Sequence, residues 1–432
     1  LNTQRIAILG DLLDIEQAPP PGTPLDEIPA GVRWRPAHWL LIEDGRISAV
    51  QAEAPDASWP RDERPGQLIL PGFVDTHVHA PQLDVIASYG TELLDWLQRY
   101  TFPAETAWAD PAVAAAGSAL FLDQLLAHGT TSALVFPTVH KTSVDALFGA
   151  ALQRGMRLIS GKCLMDRHAP PALCDTVASG ERDTLALLAA WTGKGRLAYA
   201  HTVRFAPTSS EAQLRLAGEL HAASPGSYVQ THVAENRAEV DWVRELFPGY
   251  RSYLDVYERH GLLTAQTTLA HGIWLDADAR ARLRDTRAVI AHSPTSNLFL
   301  GSGLFVWRGR ASDGMRLSIA SDVGGGVSLS MQRTLAAAYQ VAALQGQRLD
   351  AFTLLHAATR GNAASLQLDQ EIGRLEPGLV ADVVAWDWAE PGSVLAHRLG
   401  RANSLHEKLF AWLMLGDERL LRRTWVAGRA FG

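Results

Sequence analysis

Two imidazoles separated by one residue, in Asp75-Thr76-His77-Val78-His79, close an apolar run that begins at Leu68. In a strand, residues two apart share a face, so His77 and His79 both turn inward and can grip one metal ion through ring nitrogens. The same pattern also reads as two core histidines satisfied by their neighbours. A nitrogen-bound metal needs a third nitrogen and usually a carboxylate, arriving from other strand ends. His232 in Gln230-Thr231-His232-Val233-Ala234-Glu235, His271 in Leu269-Ala270-His271-Gly272 and Asp322 in Ala320-Ser321-Asp322-Val323-Gly324 each end such a run. Any one of them alone reads as a cap or turn residue, whereas the set fits a shared site. Zinc brings the pKa of bound water to about 7, but a leaving group must still acquire protons. Glu235, three residues after His232, is placed to handle those protons without being a ligand. Its other reading is a solvated acid at the start of the following helix, favoured there by the helix dipole.

Positioning these groups requires elements whose ends converge. Short apolar strands alternate with helical stretches through the middle of the chain, the pattern of βα units around a parallel sheet. The predicted strands are Leu68–His79, Thr130–Phe136, Arg157–Met165, Leu197–Phe205, Tyr228–Val233, Thr267–His271, Ala288–His292 and Leu317–Ser321. Eight strands with intervening helices predict an α/β fold, a (β/α)8 TIM barrel. Toward the ends, Ile6–Gly10, His38–Glu43, Arg46–Val50, Ala381–Trp386 and Arg423–Val426 carry β-type residues, and Pro19-Pro20-Pro21-Gly22 makes a loop. We expect both termini to form one small β-domain, residues 1–70 and 371–432, around a barrel of residues 71–370.

Of the 432 residues, 47% are hydrophobic and 20% charged, which suits a folded globular chain with a large core. A net charge of −7, without clustered Lys and Arg, argues against a nucleic-acid partner. No apolar run approaches the ~20 residues of a membrane span, and no leader pattern occupies Leu1–Gly10. Two cysteines, Cys163 and Cys174, are too few for a disulfide framework and suit a reducing compartment. The expectation is a soluble cytoplasmic protein.

The chain resembles guanine deaminases of the amidohydrolase superfamily. The resemblance is carried by PGFVDTHVHAPQ (71–82), YTFPAE (100–105), RFAPTSS (204–210), THVAEN (231–236), LAHG (269–272), HSPTSNLFLGSG (292–303) and SDVGGG (321–326). The HxH pair, the later histidines and the SD turn are shared across the superfamily; HAPQ, YTFPAE and RFAPTSS are more specific. The resemblance implies that His77, His79, His232 and Asp322 hold one zinc ion. It makes Asp322 the acceptor of the attacking water's proton, gives His271 a hydrogen bond to the hydroxide, and makes Glu235 the general acid/base. It also implies that Gln82, Arg204 and Phe205, together with the ligand His232, contact the purine and that the protein is a homodimer. The implied reaction is hydrolytic deamination of guanine to xanthine and ammonia by a zinc-bound hydroxide, a step of guanine catabolism.

Physical chemistry agrees with the arginine. A planar fork of donors suits the O6 and N7 acceptors of guanine, whereas adenine sets an amino donor where O6 would be. Gln82 both donates and accepts through one amide. Trp96 and Phe102 are expected in the core, and Lys162 in a structural role. The predicted fourth strand lacks the lysine that binuclear relatives modify, and Cys174 lacks the second cysteine of the His/Cys/Cys deaminases. His292 is a candidate for the pocket lining, His201 and His168 for structure. Two alternatives stay open: a sister deaminase or chlorohydrolase acting on another purine, a pterin or an s-triazine, and an inactive barrel serving as an interaction protein.

Overall fold

The computed structural model describes residues 4–90 and 93–431; Leu1–Thr3 and Gly432, at the ends of the segments expected in the β-domain, lie outside the described residues. Eight parallel barrel strands are present: Phe73–His79, Thr130–Phe136, Arg157–Ser160, Leu197–Val203, Tyr228–Val233, Thr267–His271, Val289–His292 and Arg316–Ile319. A two-residue strand, Cys163–Leu164, also pairs beside Leu197–Val203. The strands are almost wholly buried, which is why they read as continuous apolar runs rather than alternating ones.

The last strand returns to the first. The Thr76 hydroxyl donates to Ser318 Oγ (2.9 Å), the Asp322 N–H donates to the His77 carbonyl (2.9 Å), and the His79 N–H donates to the Val323 carbonyl (2.8 Å). These bonds bring the end of the eighth strand beside the two histidines of the first.

A second, seven-stranded sheet is built from both ends of the chain, in the order Arg429–Phe431, Leu421–Val426, Val383–Trp386, Arg61–Pro71, Arg5–Ile15, Val32–Glu43, Arg46–Gln51. Ile8, Leu12, Leu40, Ile42, Ile69, Val383 and Trp425 share its core.

Two expectations are revised. The run Leu68–His79 is not one strand: Leu68–Pro71 pairs antiparallel with Val383–Trp386 in the terminal sheet, and the barrel strand begins after Gly72. An added Cβ at Gly72 would lie 2.1 Å from the Thr131 hydroxyl, so the crossing point has room for glycine alone. The chain also divides differently, into one compact unit of Leu1–Asp75, Gln124–Ser132 and Ser330–Gly432 and a second of Thr76–Asp123 and Ala133–Leu329. Residues 330–370, expected with the barrel segment, sort with the terminal segments because the helices Met331–Leu344 and Ala351–His356 both pack on the helix Leu405–Leu415.

Candidate active site

His77, His79, His232 and Asp322 offer ligand atoms that all lie within 4.8 Å of one another. His79 Nε2 lies 3.2 Å from both His77 Nε2 and His232 Nε2, and Asp322 Oδ1 lies 3.1 Å from His77 Nε2 and 3.4 Å from His79 Nε2. Ligands ~2.0–2.1 Å from one tetrahedral ion are separated by about 3.3 Å, so this spacing suits a cation among them.

The tautomer supports the same conclusion. His232 Nδ1 faces the Arg204 carbonyl at 2.6 Å, an acceptor, so Nδ1 carries the proton and Nε2 presents a lone pair. Burial holds His232 well below the ordinary imidazole range and lowers His79 to about 3, with opposing help from Asp322 at His79. Both rings are therefore neutral at physiological pH. Imidazole nitrogens and one carboxylate, with no thiolate, form a donor set of the kind that holds a divalent transition-metal ion. Beneath them the Phe136 ring sits 4.7 to 5.1 Å from the His77, His79 and His232 rings and provides an apolar floor.

Glu235 and His271 stand beside this cluster. His271 Nε2 is 3.3 Å from Glu235 Oε2 and 3.6 Å from Asp322 Oδ2, while its Nδ1 meets Asn297 Oδ1 at 2.9 Å. As Asn297 Oδ1 is an acceptor, Nδ1 donates, and Nε2 is the ring atom turned toward Glu235 and Asp322. The Ser302 hydroxyl donates to Glu235 Oε1 at 2.9 Å. Burial, reinforced by the Asp322 charge, pushes Glu235 up to about 8, so the carboxyl carries a proton at neutral pH. The opposite holds at Asp322, where burial opposes the charge but His77 and the hydrogen bonds from both histidines outweigh it and hold the group well below the usual carboxylate range. Two carboxyls with separated protonation states are the pairing expected of an acid and a base.

The local backbone is shaped for this convergence. Ala234 (φ +48°), His271 (φ +73°) and Asp322 (φ +50°) are non-glycine residues in the left-handed region, a strained conformation that accumulates at functional sites. The SDVGGG turn that presents Asp322 needs its last glycine, since a Cβ on Gly326 would fall 1.8 Å from the Ser321 carbonyl oxygen.

A pocket opens over the cluster. Gln82, Arg204, Phe205, His232, Glu235, His271 and Asp322 line it, so the residues predicted to act on substrate meet at one place. Trp96, predicted in the core, is buried and lines the cavity as well, with Leu93 and Leu97 on the same helical segment. Phe102 stays behind the lining, its ring 5.8 Å from the Arg204 guanidinium carbon. Lys162 is buried against Asp175 and the Val139 carbonyl. His292 stacks on Phe305 at 4.8 Å, and the cavity lining does not include it. His201 packs against Tyr199 and His221, and His168 against Trp242.

Four residues went unassigned in the sequence. Asn297 and Ser302 lie within HSPTSNLFLGSG, and Glu105 within YTFPAE, so their motifs were visible while their roles were not. Glu239 had a readable signal in Asn236-x-x-Glu239, a helix capping box. Its carboxylate accepts from the N–H groups of Glu235 and Asn236 and from the Tyr253 hydroxyl, anchoring the loop that carries Glu235.

Comparison with known proteins gives concordant matches. The Amidohydrolase family profile matches residues 68–430. The chain is 43% identical to the guanine deaminase of Escherichia coli (strain K12) over 412 residues, covering 94% of this chain and 93% of that one. In structure it matches the E. coli guanine deaminase with a TM-score of 0.93 at 40% identity, over 99% of both chains. The guanine deaminase from Bradyrhizobium japonicum gives a TM-score of 0.91 at 32% identity, over 99% of both chains.

Proposed function

The chain belongs to the Amidohydrolase family, and from that premise we infer that it catalyses the hydrolytic deamination of guanine to xanthine and ammonia. The observation that carries this reading is the joining, in one cavity, of a His77/His79/His232/Asp322 metal cluster to the Glu235–His271 pair and to the Arg204 and Gln82 side chains. Likeness to guanine deaminases over nearly the whole chain supports the same substrate.

His77, His79, His232 and Asp322 would hold one zinc ion. When bound there, the ion supplies a Lewis acid that makes water acidic near neutral pH. The chain's own groups then manage the protons. Asp322, ionised and 3.6 Å from His271, accepts the proton of the attacking water, while His271 orients that water through Nε2. Glu235, protonated at neutral pH, gives its proton to N3 of guanine as the C2–O bond forms. Asp322 passes the proton taken from water to the exocyclic amine, the C2–N bond breaks as the C2 hydroxyl gives its remaining proton to the Glu235 carboxylate, ammonia leaves, and both carboxyls return to their starting states. Guanine and water are consumed, and xanthine and ammonia are produced.

Arg204 presents guanidinium donors to the O6 and N7 edge, Gln82 reads an edge that both donates and accepts, and Phe205 offers a ring face in the cavity wall. This role for Arg204 predicts selectivity. Guanine is expected to exceed adenine in kcat/KM by about 10⁴-fold, because adenine leaves buried donors unmatched. Ammonia release from guanine, adenine, a pterin and ammeline by the zinc-loaded protein measures this directly. Comparable rates on adenine would remove Arg204 from the specificity role, and no release from guanine would overturn the assignment itself.

The cytoplasm, a role in guanine catabolism and a homodimer complete the reading. Among the described residues, no helix is long and apolar enough to cross a membrane.

A further inference from the structure

Arg204 is a buried cation, 3% exposed, at the wall of the cavity, and its counter-charge is Glu105, which is fully buried. Arg204 Nη1 donates to both carboxylate oxygens of Glu105, at 2.6 and 2.7 Å. Glu105 also accepts a hydrogen bond from Gln82 Nε2 at 3.2 Å, and the other end of that amide, Gln82 Oε1, accepts from the Gly324 N–H at 3.3 Å. Both polar side chains assigned to the purine thus converge on one carboxylate that is absent from the lining of the cavity.

We propose that Glu105 is the positioning residue of substrate recognition: it aims the Arg204 guanidinium and sets the orientation of the Gln82 amide without touching the purine. The inference rests on the guanine reading for what those two side chains contact.

A carboxylate can only accept, so it compels Gln82 to turn its NH₂ group toward Glu105, and the Gly324 N–H compels the oxygen to the other side. An amide that would otherwise sample two orientations is locked into one. For Arg204 the contact with Glu105 runs through Nη1, which directs the plane of the guanidinium while the charge is balanced. Burial opposes ionisation of Arg204, but Glu105 more than offsets it and holds the group above its ordinary range. The cation also lies 5.8 Å from the Phe102 ring centre, on the same short helix, Phe102–Ala107, as Glu105. That helix follows a wide π-helical turn, Leu97–Thr101, a distortion that often accompanies functional sites. YTFPAE therefore supplies a ring and a carboxylate to the same guanidinium.

The test is a KM-against-kcat comparison of Glu105→Gln and Glu105→Asp with the unmodified protein, all zinc-loaded and matched in metal content. It uses whichever of guanine, adenine, a pterin or ammeline the unmodified protein turns over. Glu105→Gln is expected to raise KM about tenfold or more and to change kcat by less than about threefold, since a binding contact is lost and the proton-handling groups are not. Glu105→Asp, which keeps the charge on a shorter arm, should fall between, and it carries the test if the Gln variant does not fold. In an Arg204→Gln background, Glu105→Gln should raise KM by a smaller factor than it does in the unmodified protein, because only its hold on Gln82 remains to be lost. A KM within about twofold of the unmodified protein, a fall confined to kcat, or a fully additive rise in the double variant would overturn the inference. An unmodified protein inactive on guanine but active on another member of the set would instead overturn the guanine reading, leaving the Glu105 comparison readable.

Discussion

Removal of divalent metal by a chelator is expected to abolish turnover of guanine, and one equivalent of zinc to restore it. Without a Lewis acid, water at this site must ionise from a pKa of about 15.7, and no residue in the cavity makes up that difference. The neutral His79 and His232 rings and the ionised Asp322 supply ligand groups that hold no excess charge-bearing proton. The cluster should therefore bind zinc tightly and be stabilised by it, because a ligand that binds only the folded state raises stability by mass action. Elemental analysis checks the stoichiometry, and thermal melting with and without zinc checks the linkage. Asp322→Asn, which leaves three nitrogens but removes the anionic ligand and proton acceptor, should retain less metal and little activity. Turnover at the normal rate by protein shown to be metal-free would end this account of the site.

The second large effect belongs to Glu235. Glu235→Gln keeps the shape of the side chain and a partner for the Ser302 hydroxyl, yet it cannot give up a proton to the purine ring. The expected result is a fall in kcat of about 10² to 10⁴-fold with bound zinc unchanged, the usual worth of a general acid. KM should move much less, because Arg204, Gln82 and Phe205 remain in place. Steady-state kinetics paired with metal analysis separates the outcomes. A fall explained by lost metal would make Glu235 a support for the cluster, and undiminished kcat would remove it from proton transfer altogether.

Both predictions draw on residues that sequence motifs exposed. His77 and His79 were legible because a spacing of two in a strand leaves one orientation, and Glu235 because it follows His232 beyond a strand end. The barrel strands were legible for a related reason: parallel strands buried on both faces need unbroken apolar runs, and those runs stand out between helices. The same property concealed the change of sheet at Gly72. Leu68–Pro71 and Phe73–His79 are both buried, so the two strands read as one until their hydrogen-bond partners are known. Trp96 illustrates the converse. A large buried ring looks alike in sequence whether it faces the core or a cavity.

The chain alone determined which chemical groups are available and which local elements carry them: the imidazoles, the carboxylates, the arginine fork and the strand ends that present them. Only the tertiary structure decided how those groups share protons and charge. Glu105 and Arg204 are 99 residues apart and Glu235 and Ser302 are 67 apart, and no periodicity links such pairs. Such pairing depends on burial and on distances of 2.6 to 2.9 Å, quantities that exist only once the barrel has formed and excluded water.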